Sequence, residues 1–255
     1  MRDTALSVTG DGPAVVLVHG MGLNLNMWQG QLTQLARNFK VVRYDLLGHG
    51  RSQARPGPYN MIDFVDQLER LLDHLSIQRC YLVGFSLGGL IAQAFAIAFP
   101  KRVCRLVVLN AGYDRSDKER AGMIERLRTA RRDGYGATVE MALERWFTET
   151  FATDHPETID QVRCWMHSND PDIYPEIYRV LAFGDQALAS EIRKIRCPTL
   201  VLTCNDDVGS PPDMARRMAQ AIPGAQLAIV PGLRHMGLME APSAINEILV
   251  SFLEV

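Results

Sequence analysis

The chain has 255 residues, of which 47% are hydrophobic, and it carries a formal net charge of −2 at pH 7 with a pI near 6.3. This nearly even charge balance gives no electrostatic basis for binding nucleic acid or an anionic membrane surface. No apolar run is long enough to span a bilayer, the first residues show no signal region, and the five cysteines form no C-x-x-C pair. A cytoplasmic protein with buried thiols is therefore expected.

Short apolar runs alternate with amphipathic segments along most of the chain. The run 14–18 is typical of a strand buried on both faces of a parallel sheet, and the stretch 60–75 carries its apolar residues on one helical stripe. Strands are predicted over 5–9, 14–18, 40–45, 80–83, 105–110, 198–203 and 226–230, and helices over 28–39, 60–75, 90–99, 212–221 and 243–253. The alternation favours an α/β fold, with a mostly parallel sheet of about seven to eight strands covered by helices.

The strand–helix alternation stops between residues 113 and 195. This stretch is charged and helical in character, and it contains no clear strand. Strands resume at 198–203. We therefore predict a core made of residues 1–112 and 196–255, with residues 113–195 inserted as a helical cap.

The most informative segment is GFSLGG at residues 84–89, between the predicted strand 80–83 and the predicted helix 90–99. Ser86 lies at a strand-to-helix turn, with glycine two residues before it and two residues after it. So sharp a turn strains the backbone and leaves little room for a Cβ atom on its neighbours. The pattern indicates a G-x-S-x-G nucleophile elbow, with a glycine-rich turn and an incidental serine as the alternative.

A second glycine-rich turn, HGMG at residues 19–22, follows the predicted strand 14–18. Open α/β sheets place their chemistry at such carboxyl ends of strands. The backbone N–H of Met21 and that of Leu87, which follows the elbow serine, are candidate donors of an oxyanion hole. An ordinary glycine turn is the alternative.

Acidic residues and a histidine follow the last two predicted strands. Asp206 and Asp207 come just after 198–203, and His235 lies in the loop after 226–230. Taken singly, these are a solvated acidic turn and a loop histidine. Together with Ser86 they stand in the order of nucleophile, acid and histidine, which predicts a Ser-His-Asp triad with either aspartate as the acid. No H-E-x-x-H, Cys–His cluster or phosphate-binding loop occurs in the sequence, so no cofactor and no metal is expected.

These segments give the chain a resemblance to the α/β-hydrolase superfamily over nearly its whole length. The resemblance is carried by HGMG at 19–22, DLLGHGRS at 45–52, GFSLGG at 84–89, NDD at 205–207 with Pro211, and His235 with Glu240 and Pro242. Within the superfamily the chain is similar to the 3-oxoadipate enol-lactonase group, in MW at 27–28, PGPY at 56–59 and RWFT at 145–148. The resemblance implies the α/β-hydrolase fold with an inserted helical cap.

The resemblance also implies roles for individual residues. Ser86 matches the nucleophile, His235 the general base, and Asp207 the acid, because a proline stands four residues after it. Met21 and Leu87 match the oxyanion donors. The implied activity is hydrolysis of a small ester or lactone through an acyl-enzyme, with a small-molecule substrate as the partner and a homodimer left open. Three alternatives remain: a carbon–carbon bond hydrolase of a vinylogous diketone, a triad-bearing ligand receptor, and a cofactor-free oxygenase or isomerase.

Specificity is expected to reside in the inserted segment 113–195. Trp146 resembles a cleft-lining residue of the enol-lactonase group, and Trp28 follows the oxyanion turn, so both are candidates for an apolar wall around a compact ring. Burial of both in the core is the alternative. One arginine of the segment, turned inward, would pair with a substrate carboxylate. The candidates are Arg126, Arg128, Arg131, Arg132 and Arg145.

Overall fold

The structure, a computed structural model, describes residues 3–254 and contains a seven-stranded sheet. Its strands are β1 (Leu6–Thr9), β2 (Ala14–Val18), β3 (Lys40–Tyr44), β4 (Cys80–Phe85), β5 (Val103–Leu109), β6 (Thr199–Cys204) and β7 (Gln226–Val230). They lie side by side in the order β1-β3-β2-β4-β5-β6-β7. Only β1 runs antiparallel to its neighbour within this sheet. The predicted α/β class and strand number are confirmed.

Helices connect the strands and cover the sheet. They are α1 (Gln29–Leu35), α2 (Met61–His74), α3 (Leu87–Ala98), α4 (Asp117–Asp133), α5 (Gly136–Trp146), α6 (Glu149–Asp154), α7 (Pro156–His167), α8 (Tyr174–Glu191), α9 (Pro212–Ala221), α10 (Gly237–Glu240) and α11 (Pro242–Leu253). None of those in residues 3–254 is long and apolar enough to cross a membrane. Helix α1 is shorter than the predicted helix 28–39. A 3-10 turn at Leu25–Trp28 precedes it, and residues 36–39 form tight turns after its end.

Burial explains why the central elements carry almost no polar residues. Residues 15–18 of β2 are fully buried, since helices cover both faces of the parallel sheet. Helix α3 is apolar all round and is buried over residues 87–96. It packs on β4 and β5 on one side and meets α2 and α8 on the other. The element that follows Ser86 is therefore held from several sides.

The inserted segment lies between β5 and β6 and is helical, from α4 to α8. Helix α4 begins with a reciprocal cap, in which the Glu119 carboxylate accepts the Ser116 N–H at 2.7 Å and the Ser116 hydroxyl accepts the Glu119 N–H at 3.3 Å. The division into a core of residues 1–112 and 196–255 and a cap of residues 113–195 stays a prediction. Below, the segment from α4 to α8 is called the cap.

Candidate active site

The turn at Ser86 joins β4 directly to α3. Ser86 has φ 54° and ψ −115°, a strained combination for a residue with a Cβ. The flanking glycines permit it, because a Cβ on Gly84 would overlap the carbonyl of Gly88, and a Cβ on Gly88 would overlap the carbonyl of Val18. Both glycines were expected in the turn, whereas they lie inside β4 and α3. Close packing between strand and helix, and not chain reversal alone, requires them.

The turn after β6 and the loop after β7 bring an acid and a histidine together. His235 donates its Nδ1–H to Oδ2 of Asp207 at 2.7 Å, and both side chains are buried. Oδ1 of the same carboxylate accepts the N–H groups of Gly209 and Ser210 at 2.8 and 3.2 Å. Burial by itself raises the pKa of Asp207, but His235 and these hydrogen bonds outweigh it and hold the pKa below its usual value.

The second aspartate candidate points elsewhere. Asp206 is exposed, and its Oδ1 accepts a hydrogen bond from the Asn205 side chain at 2.9 Å. Among the two acids that follow β6, the structure brings Asp207 to His235 and leaves Asp206 at the surface.

Asn110 is a site residue that sequence reasoning missed. It follows β5 with φ 47°, and its Nδ2 donates to Oδ2 of Asp207 at 2.7 Å. The carboxylate oxygen that faces His235 therefore accepts two hydrogen bonds. Its position in the sequence could have indicated a role, because Asn110 ends the predicted strand 105–110. The carboxyl end of that strand is next to that of β6, where open α/β sheets place their chemistry.

The turn that carries Met21 is held by two buried histidines. His19 accepts the Leu46 N–H on Nε2 at 2.9 Å and donates from Nδ1 to the Gly20 carbonyl at 2.8 Å. His49 accepts the Gly22 N–H on Nε2 at 3.0 Å. Each ring must stay neutral to accept such a bond. The glycine-rich loop 45–52 thus supports the turn 19–22.

The N–H groups of Met21 and Leu87 make no hydrogen bond within the described part of the chain. Met21 lines the same cleft as Ser86 and His235. Leu87 is the first residue of α3, so its N–H belongs to the open donors of a helix N-terminus. Both amides are therefore unpaired donors, as an oxyanion hole requires, and that role for them stays a prediction.

We expect the free energy of unfolding to fall as the pH is lowered from about 6.5 to about 4. Burial lowers the pKa of His19 from 6.5 to about 4, and burial together with the His19 charge lowers that of His49 to about 3. Between these values the unfolded chain binds more protons than the folded one, so acid favours unfolding, by several kcal/mol in total on the order-of-magnitude conversion. Urea unfolding measured across this pH range checks the slope. His49→Gln, which keeps an acceptor for Gly22, should show a shallower slope, and an unchanged slope would contradict the account.

A cleft of about 810 Å³, its open mouth included, connects Ser86, Asp207 and His235 with the cap. Trp146 lines it, and the Trp146 and His235 rings have centroids 5.7 Å apart. Trp28 does not line it, and its side chain is fully buried. Trp28 therefore packs in the core and not in a cleft wall, which corrects the expectation for it, whereas contact between Trp146 and a substrate stays a prediction.

Two of the five candidate arginines line the cleft, Arg126 and Arg145. Arg126 donates from Nε to the Tyr178 hydroxyl at 2.9 Å, and Arg145 from Nε to the Met141 carbonyl at 2.9 Å. Neither arginine forms an ion pair within residues 3–254. Burial, together with the neighbouring Arg126 charge, lowers the pKa of Arg145. The remaining three, Arg128, Arg131 and Arg132, are exposed. Arg115 also lines the cleft, but it is ion-paired with Asp185 at 3.1 Å.

Comparison with known proteins identifies the family of this chain. Residues 13–242 match the family model described as the alpha/beta hydrolase fold. The chain is 31% identical over 245 residues to (E)-2-((N-methylformamido)methylene)succinate hydrolase of Acinetobacter baylyi, covering 96% of this chain and 92% of the relative. It is 28% identical to 3-oxoadipate enol-lactonase 2 of the same organism, covering 92% and 86%. The crystal structure of the enol-lactonase from Burkholderia xenovorans superposes with a TM-score of 0.92 at 29% identity, covering 99% of this chain and 96% of that one.

Proposed function

Because the chain belongs to the α/β hydrolase fold family and is a hydrolase, we propose that it cleaves a small ester or lactone through an acyl-enzyme on Ser86. The observation that carries the proposal is the 2.7 Å bond between His235 and Asp207, in the same cleft as a serine on a strained elbow. Asp207 keeps the His235 proton on Nδ1, which leaves Nε2 free to accept a proton.

The reaction follows from these positions. Nε2 of His235 takes the Ser86 hydroxyl proton as Oγ bonds to the substrate carbonyl carbon, because an unaided hydroxyl is too weak a nucleophile at neutral pH. The N–H groups of Met21 and Leu87 stabilise the oxyanion, each donor contributing about 3–4 kcal/mol in comparable sites. The tetrahedral species collapses as His235 returns the proton to the leaving oxygen. Water, activated by the same imidazole, then releases the acid and restores Ser86.

The substrate class is proposed from the cleft wall. Arg126 and Arg145 carry positive charge into a half-buried space without a carboxylate partner in the described chain. A guanidinium binds a carboxylate in bidentate fashion and more strongly away from water. Trp146 and other apolar side chains suit a compact carbon skeleton. We therefore assign a small ester, enol ester or lactone that bears at least one carboxylate.

The names of two relatives point the same way. One acts on a substituted succinate and another on an enol-lactone of 3-oxoadipate. For this chain, cleavage of a carbon–carbon bond in a vinylogous diketone is the competing proposal. A panel of carboxylated lactones, enol esters and aryl diketones separates them, since faster cleavage of an aryl diketone than of any lactone would favour the competing reaction.

For the best acidic substrate, we expect kcat/KM to exceed that of its methyl ester by about tenfold or more. Removing the carboxylate charge leaves Arg126 and Arg145 without a partner in the complex. Arg145→Gln should bring the two values together, mainly by lowering turnover of the acid. Arg128→Gln is the matched control, because Arg128 is exposed and pairs with Glu125. Equal turnover of acid and methyl ester by the wild-type protein would remove the carboxylate from the proposal.

A further inference from the structure

Hydrogen bonds join the loop that carries His235 to one corner of the cap. The base loop is defined here as residues 234–240 and the cap corner as residues 144–148. Arg234 donates from Nη1 to the carbonyls of Glu144 and Phe147, each at 2.8 Å. The Met236 N–H donates to the Trp146 carbonyl at 2.9 Å. The corner and the loop are thus connected on both sides of His235.

A carboxylate completes the connection. Glu240 accepts the Thr148 N–H on Oε1 at 3.1 Å and the Thr148 hydroxyl on Oε2 at 2.6 Å. Thr148 is also the N-cap of α6, where its hydroxyl accepts the Phe151 N–H at 3.3 Å. One side chain of the base loop therefore binds both polar groups of the residue at which α5 gives way to α6.

These bonds decide what surrounds the His235 ring. On one side it lies against Phe85 of β4, with centroids 4.8 Å apart, and on another against Trp146 of the cap corner, at 5.7 Å. Phe85 is fixed by the sheet. Trp146 keeps its place only while the corner stays on the base loop. Displacement of the corner would remove one wall of the imidazole and admit water to it.

We propose that Glu240 and Thr148 act as a latch that positions His235, by holding the cap corner against the base loop throughout turnover. The inference rests on the proposed function, in which His235 is the base. It makes Glu240 and Thr148 positioning residues, which act through Trp146 and do not touch the substrate. It also means that this corner does not lift as a lid, so any opening of the cap occurs elsewhere along the cleft.

The test compares two disruptive variants with two conservative ones. Glu240→Ala removes both acceptors, and Thr148→Val removes the hydroxyl at nearly equal volume. Glu240→Gln keeps an acceptor for the Thr148 N–H, and Thr148→Ser keeps the hydroxyl and the helix cap. We expect the first pair to lose about tenfold or more in kcat with KM changed less than about threefold, because misplacement of a catalytic group acts on the chemical step. The second pair should retain at least about half of the wild-type kcat.

Two measurements separate positioning from stability and from the proposed function. The low-field resonance of the His235 Nδ1–H should broaden in Glu240→Ala through exchange with water and stay sharp in Glu240→Gln. Unchanged kcat and an unchanged resonance, with only a lower Tm, would overturn the latch. Labelling of Ser86 by a fluorophosphonate tests the function separately. Failure of the wild-type protein to label would overturn the function, whereas equal labelling rates for wild type and Glu240→Ala would overturn the latch.

Discussion

Replacement of Ser86 by alanine is expected to lower kcat for the best ester or lactone by about 10⁴-fold to 10⁶-fold while the protein stays folded. The change removes the oxygen that would bond to the substrate, and the activity that remains comes from the oxyanion donors and from binding. Alanine has the same Cβ as serine, so the strained φ of 54° at this position is neither relieved nor worsened. The measurements are kcat on the purified variant and its thermal unfolding beside the wild type.

Ser86→Gly is the matched variant for backbone strain. It loses the same hydroxyl, so we expect the same loss of activity. Because glycine adopts the positive φ without strain, we expect its free energy of unfolding to exceed that of Ser86→Ala by about 1 kcal/mol or more. Retention of more than a tenth of the wild-type kcat in both variants would contradict the assignment of Ser86 as the nucleophile. It would favour the oxygenase or isomerase alternative, in which His235 acts as a base without Ser86.

The second large effect is expected for Asp207→Asn, with a loss of about 10⁴ in kcat. The carboxylate accepts four hydrogen bonds, two on each oxygen. An amide has one acceptor oxygen, so it can serve either Gly209 and Ser210 or Asn110 and His235, but not both pairs. If the amide oxygen faces the backbone, its NH₂ meets His235 and stabilises the tautomer with the proton on Nε2, which cannot accept the serine proton.

Asp206→Asn is the control for this prediction. Asp206 is exposed, and its carboxylate accepts a hydrogen bond from the neighbouring Asn205 side chain rather than from His235. We expect its kcat to stay within about twofold of wild type, since surface substitutions away from the site have small effects. A larger loss for Asp206→Asn than for Asp207→Asn would show that Asp206 serves as the acid in solution.

The fold was predictable because its signals are local. The run 14–18 is a continuous apolar stretch, and 226–230 is apolar after its first residue. Turn residues bound both runs, and the structure places strands over them. At the elbow the predicted strand ends two residues early and the predicted helix begins three residues late, because Gly84 and Gly88 were interpreted as turn residues. A glycine required by close packing and a glycine required by a turn look the same along the chain.

The candidate site was predictable only in part. The order of Ser86, an aspartate and His235 indicated a triad. That order alone fits two adjacent aspartates, of which the family resemblance implied Asp207, and the only signal for Asn110 was its place at the end of a predicted strand. The roles of these residues remain predictions for the experiments above. Which aspartate meets His235 depends on the path of the turn after β6, where Oδ1 of Asp207 is held by backbone N–H groups two and three residues later.

The sequence by itself determined the α/β class and the mostly parallel sheet, because the hydrophobic period is a property of neighbouring residues. The resemblance carried by its motifs indicated the family, which the family match over residues 13–242 confirms. Tertiary structure alone decided that Trp28 is buried while Trp146 lies beside His235, and that Arg126 and Arg145 face the cleft while Arg128 faces solvent. Trp28 is buried because the 3-10 turn Leu25–Trp28 packs into the core. The other outcomes depend on how the cap helices are rotated and packed on the core. Successive side chains on a helix point about 100° apart, so the rotation of the helix about its axis decides which of them face the cleft. Contacts between residues far apart in the chain set that rotation.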